Sequence, residues 1–130
     1  MTAGLSAANL ANKWLDMLGA TAFTAPAAFW VMPHVGDPGS AGASNTITSV
    51  TRQQVTWAAA SAGSKAASNS PTWTSWSFTS PSTLTHLSFW DASTAGNFLG
   101  SCALAAAQVV VTGNNVVLSP FSISFAPIAA

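Results

Sequence analysis

Charge is almost missing from this 130-residue sequence: charged residues make up 5% of it, the acids are all Asp, and Glu does not occur. A soluble domain ordinarily carries about 25%. The charges are Lys13, Arg52, Lys65, Asp16, Asp37 and Asp91, and they sum to zero. The chain therefore has neither the basic field that gathers nucleic acid nor an acidic field that draws cations or basic partners. Paired-carboxylate chemistry would have to be drawn from three Asp, and Asp37 and Asp91 sit in turn sequences where Asp bonds its own backbone. His34 and His86 are the only imidazoles and Cys102 the only thiol, so no HxxxH, HxH or CxxC ligand cluster can be drawn. A lone cysteine excludes an intrachain disulfide, and the setting Gly100-Ser101-Cys102-Ala103-Leu104 reads as a small, inert, buried position. No GxSxG elbow, GxGxxG turn or GxxxxGK[ST] loop occurs. These absences point to a chain that is not an enzyme and has no catalytic, metal or cofactor residues.

Long apolar runs are also missing. Nothing approaches the roughly 20 residues of a membrane span, and the N-terminus lacks a basic region followed by an apolar stretch. The expectation is a chain made in the cytosol that stays soluble, with no membrane partner. No internal repeat occurs either, which excludes a long shaft built from heptads or repeated β motifs.

Aromatic residues are present in quantity. Trp14, Trp30, Trp57, Trp73, Trp76 and Trp90, with seven Phe, supply far more buriable surface than a disordered segment contains. The polar complement is Ser, Thr, Asn, Gln and Gly rather than charge, and a net charge near zero leaves a free monomer poorly protected against association. The composition thus predicts a folded chain completed by other protein chains.

The length fits a single domain, with residues 1–20 an N-terminal helix and 21–130 a β-sandwich. Leu10, Trp14, Met17 and Leu18 recur at three- and four-residue intervals, which predicts a helix over Ser6 to Leu18 stopped by Gly19. Beyond it, short β segments are separated by Gly, Pro, Ser and Asn clusters. Strands are expected at Ala28 to Met32, Gln53 to Ala60, Thr72 to Phe78, Leu84 to Asp91, Phe98 to Leu104, Gln108 to Thr112, Val116 to Leu118 and Ser122 to Phe125. The turn Asp91 to Asn97 makes a hairpin of the strands beside it, and Gly113-Asn114-Asn115 predicts a second between Val109-Val110-Val111 and Val116-Val117-Leu118. The fold class expected is mainly β: a small antiparallel β-sandwich or jelly-roll-like barrel with one N-terminal α-helix. Two longer loops, Pro33 to Val50 and Ser61 to Pro71, are of a length that usually carries contacts.

One ordered series stands out. His34-Val35-Gly36-Asp37-Pro38-Gly39 is followed by Gly42-Ala43-Ser44-Asn45, Arg52-Gln53 and Thr56-Trp57-Ala58-Ala59-Ala60. Thr85-His86-Leu87-Ser88-Phe89-Trp90-Asp91-Ala92 and Gly96-Asn97-Phe98-Leu99 come later. This series resembles the small tail-fibre-like and minor capsid (decoration) proteins of actinobacterial tailed bacteriophages. It departs from their pattern at Val35, Thr46 and Ala95. The resemblance implies a virion structural protein made in the bacterial host cytoplasm. A globular module without a shaft favours a minor capsid protein that decorates and stabilises the shell by binding the major capsid protein, as a homo-oligomer with a trimer favoured. The alternative is a tail-tip or tail-fibre module for host attachment, with tail proteins as partners. In that case Trp73 or Trp76 would stack on carbohydrate, against a reading of both as core. The residues expected at partner interfaces are Leu10, Trp14, His34, Asp37, Pro38, Asn45, Trp73, Trp76, Phe121, Phe125 and Ile128.

Overall fold

The computed structural model describes residues 3–47, 50–74 and 82–125. Its strands, in chain order, are β1 (Phe29–His34), β2 (Gln53–Val55), β3 (Ser64–Ala66), β4 (Thr72–Trp73), β5 (Ser82–Trp90), β6 (Phe98–Val110), β7 (Val116–Val117) and β8 (Ser122–Ser124). They form a four-stranded antiparallel sheet ordered β2-β1-β5-β6, together with the two-stranded ladders β3-β8 and β4-β7. The chain is mainly β with one N-terminal helical segment, as its sequence leads one to expect.

Alternation sorts the four-stranded sheet into two faces. Phe29 and Val31 of β1, Val55 of β2, Leu87 and Phe89 of β5 and Cys102 of β6 turn toward the core, where Ala67, Trp73, Val116, Leu118 and Phe121 meet them from the small ladders. This is the layered packing of a sandwich. Phe29, Trp57, Phe121 and Phe89 close a circuit of ring contacts with centroid separations of 5.1, 5.5, 6.1 and 5.2 Å. Such pairs add about 0.5–1.5 kcal/mol each beyond their buried area, so the circuit ties the two layers together. Trp73 is 4% exposed and its indole Nε1–H donates to the Thr51 carbonyl at 2.8 Å, which satisfies its polar edge inside the core.

The helical segment begins where Ser6 Oγ accepts from the Asn9 N–H at 3.4 Å. It runs as a π turn (Ala7–Ala11), an α turn, α1 (Asn12–Asp16), and a 3-10 turn (Met17–Gly19). It ends one residue later than expected, on Ala20 with φ 64° rather than on Gly19. The expected apolar stripe is only partly used: Leu10 is 6% exposed, but Met17 is 48% and Leu18 87% exposed. The π turn is the reason, because it spends an extra residue and rotates everything after it out of phase with Leu10.

The hairpin β5–β6 forms as expected. The second does not: Val116 and Val117 pair with Trp73 and Thr72 of β4. Val109 is already paired with Thr83, and Val116 gains more by joining Trp73 at the core than by a local return. The two strands expected over Phe98 to Thr112 are one, β6, with a wide bulge. Leu84 faces Gln108 and His86 faces Ala103, so residues 104–107 stand opposite Thr85 alone. The strand expected to reach Ala60 stops at Val55, beyond which Trp57 bridges Ala67. β3 had no apolar alternation to announce it; the turn at Ala62 and Gly63, both at positive φ, folds it back. Of the strand expected over Thr72 to Phe78, β4 is the part within the described residues.

The sheet's edges are closed by devices of different kinds. Along the first part of β6, Gly4 to Ser6 add a strap, with Ser101 N–H donating to the Gly4 carbonyl and Ser6 N–H to the Leu99 carbonyl, both at 2.8 Å. At β2 a single side chain replaces a strand. Asn69 Nδ2 donates to the Gln54 carbonyl and Asn69 Oδ1 accepts from the Thr56 N–H, each at 2.9 Å.

Candidate functional site

The face of the sheet turned away from the core carries a buried polar chain under a long loop. The loop leaves β1 at His34 and returns at Thr46, which bridges back to His34. Within it, Gly39 N–H donates to Asp37 Oδ1 at 2.8 Å, Asn45 Nδ2 to the Asp37 carbonyl at 2.8 Å, and Ser44 N–H to the Pro38 carbonyl at 2.9 Å. Asp37 and Asn45 thus act on their own backbone, as short polar side chains in turns do. Gly42, at φ +71°, lies directly on aromatic rings: a Cβ there would stand 2.3 Å from Phe98 Cδ2 and 2.7 Å from Trp90 Cζ2. Only glycine allows the loop to sit this low.

Beneath the loop, His34 and Ser88 are 0% exposed. His34 Nδ1 lies 2.9 Å from the Ser44 carbonyl, which can only accept, so Nδ1 carries the proton. Nε2 then accepts from the Ser88 hydroxyl at 2.7 Å, and Ser88 Oγ accepts from Trp90 Nε1–H at 2.8 Å. Every donor in the run Trp90, Ser88, His34, Ser44 has an acceptor. Burial holds the His34 pKa below the ordinary 6.5, its bonds to the Ser44 and Asn45 backbone work against that shift, and the charges of His86 and Arg52 add to it.

Arg52 extends the cluster to the turn after β5. Its guanidinium lies 3.5 Å from the Trp90 ring centroid and Nη1 donates to the Ala92 and Ala95 carbonyls. Asp91 closes the same turn, accepting from Asn97 N–H and Nδ2–H at 2.7 Å each. The turn takes left-handed conformations at Ala95 (φ 51°) and Gly96 (φ 72°), which these clamps support. A planar fork stacked on an indole suits Arg and not Lys.

The arrangement is built to hold a loop rather than to react. Ser88 is spent between His34 and Trp90, and no carboxylate orients the His34 ring. Cys102 lies on the core face, where burial pushes its thiol pKa up and keeps it protonated. Among the described residues no group of three or more His, Cys, Asp or Glu is gathered for a metal ion, and no helix is long and apolar enough to cross a membrane.

The residues brought together here are those of the ordered series in the sequence, from His34 through Gly42 and Arg52 to Trp90 and Asn97. A family model described as podophage GP4 fiber I protein gp80 matches residues 5–126. The chain belongs to this family. Membership of the gp80 fibre family makes the protein a virion structural component, and it favours the tail-fibre reading over decoration of the shell. No curated protein matches the chain.

Of the interface residues expected from sequence, His34, Asp37, Pro38 and Asn45 meet in this loop, with Pro38 fully buried and Asn45 exposed. Leu10 is buried; its neighbour Asn9 holds the segment to β6, Nδ2 donating to the Phe98 carbonyl at 2.8 Å. Trp73 and Phe121 pack in the core. Trp14 lies apart from the loop, its ring edge-on to Phe125 at 5.4 Å, with Phe125 62% exposed. Trp76 and Ile128 fall outside the described residues. Sequence reasoning did not single out Gly42, Arg52, Ser88, Trp90 or Phe98 as a site. The signal was the order of the series itself, which predicted a family without saying that its members touch.

Proposed function

We propose that this gp80-family chain is a globular, non-enzymatic module of a podophage tail fibre. Association with further copies of itself and with tail proteins holds it in the virion, and its loop-bearing end takes part in host attachment. The observation that carries this reading is the fibre-family match over residues 5–126, nearly the whole chain. The surface chemistry supports it. Leu15, Met17, Leu18 and Phe125 are each between 48% and 87% exposed, with Phe125 edge-on to the Trp14 ring, and exposed apolar side chains of this kind suit contact with other chains. With no repeat to form a shaft, the chain serves as a compact piece of the fibre.

Antibody labelling of intact particles tests the location. Label at the tail end is the expected result; label spread over the shell would return the shell-decoration reading. Trp73 gives no support to carbohydrate stacking, because its ring is inside the core.

A further inference from the structure

His34 is where the covering loop leaves the sheet, and its ring is also where the loop is tied down again. The tie is the Nδ1–H bond to the Ser44 carbonyl, ten residues further on. The opposite side of the ring rests on Ser88 and through it on Trp90, the indole that Gly42 of the same loop covers. One imidazole therefore joins the cover to what it covers. Its bonding pattern holds only when the ring is neutral, since Nε2 must accept from Ser88.

We propose that His34 is a proton-operated latch: neutral, it holds loop 35–46 down on Trp90 and Phe98; protonated, it lets the loop lift and bares those two rings to a partner or to solvent. The charge environment gives a second proton no support. His86 faces His34 across the β1–β5 register and Arg52 approaches from the β2 side, both adding positive charge. The loop's one carboxylate, Asp37, bonds the Gly39 N–H, and Asp91 is engaged by Asn97. β6 offers only Cys102, on the other face. The Nδ1–H bond to Ser44 survives protonation, so what lifts the loop is the cost of sealing a cation at 0% exposure with no carboxylate on the ring, and Nε2 at the same time becomes a donor. Ser88, already accepting from Trp90, must then redirect its own hydroxyl proton to the Met32 carbonyl at 3.5 Å, a distance at which little bond remains.

The sign follows from linkage. Lifting the loop returns water to the ring and moves its pKa back toward the ordinary value, which lies above that of the closed state. Closure is at full strength above the ordinary value. It weakens as the pH falls below it, by up to about tenfold per pH unit, and levels off beneath the lowered value.

Amide hydrogen exchange of the full chain, from neutral to mildly acidic pH and corrected for the intrinsic pH dependence of exchange, tests the latch. Protection of Val35, Gly42 and Ser44 is expected to fall with acid while that of Leu87 to Phe89 in β5 holds. His86→Gln, which removes a positive neighbour, is expected to move that fall to higher pH. The proposal is overturned if loop protection does not change through the ordinary His range, if β5 loses protection in step with the loop, or if His86→Gln leaves the midpoint in place. His34→Gln should abolish the pH response; if that variant does not fold, His86→Gln decides alone.

Discussion

Gly42 shows how much a single missing methyl group can decide. A Cβ at this position meets two rings below 3 Å and also demands a left-handed backbone from an L residue, costs of about 1–3 kcal/mol each. Gly113, at φ +87°, has nothing within 4 Å of the same virtual atom. The pair is a controlled comparison. Gly42→Ala is expected to lower the stability measured by chemical denaturation by about 2–4 kcal/mol, and Gly113→Ala by about 1 kcal/mol. Equal effects would mean that the loop does not rest on Trp90 and Phe98. The requirement at Gly42 could not be read from its neighbours, because the rings that impose it come from Trp90 and Phe98, far along the chain. What was legible locally was the turn chemistry around it: Asp37, Pro38 and Asn45 in a loop, with glycines at the reversals. The same holds for His34, whose place in the expected loop Pro33 to Val50 was readable but whose partner Ser88 lies 54 residues away.

Among the elements, β5 and β6 were plain in the sequence because alternation in Leu84 to Trp90 and the turn Asp91 to Asn97 are local signals. β7 was expected where it stands, but its partner was misassigned because the same local logic cannot weigh a distant Trp73 against a nearby Val109. The helical stripe failed for a related reason, since periodicity assumes 3.6 residues per turn and the first turn here is π. Edge closure is the element-scale property with most consequence for behaviour. A Cβ on Gly100 would stand 2.8 Å from the Gly4 carbonyl and 3.1 Å from Leu5 Cα, so Gly100→Val is expected to push the Gly4 to Ser6 strap off β6. An uncovered, uncharged strand invites pairing with other chains. The expected outcome is raised thioflavin T binding and sedimentation of large species. A variant as soluble as the parent would show that the strap does not protect this edge.

For the whole molecule, the near absence of charge sets how association responds to its medium. Contacts made by Leu15, Met17, Leu18 and Phe125 have few charges to screen. The self-association proposed above, followed by sedimentation velocity, is therefore expected to survive a change from low to high salt. The double variant Leu15→Ser with Leu18→Ser is expected to be monomeric at unchanged melting temperature, because both side chains are already in water in the isolated chain. Dissociation by salt would instead assign the contact to the few ion-forming residues.

The Asn69 device makes closure at β2 depend on the chemistry of one side-chain amide. Slow hydrolysis of that one amide to Asp exchanges the donor 2.9 Å from the Gln54 carbonyl for a carboxylate oxygen, turning attraction into repulsion, while the acceptor facing Thr56 N–H survives. The molecule would gain a unit of negative charge and lose one of the two Asn69 bonds at this edge in the same event.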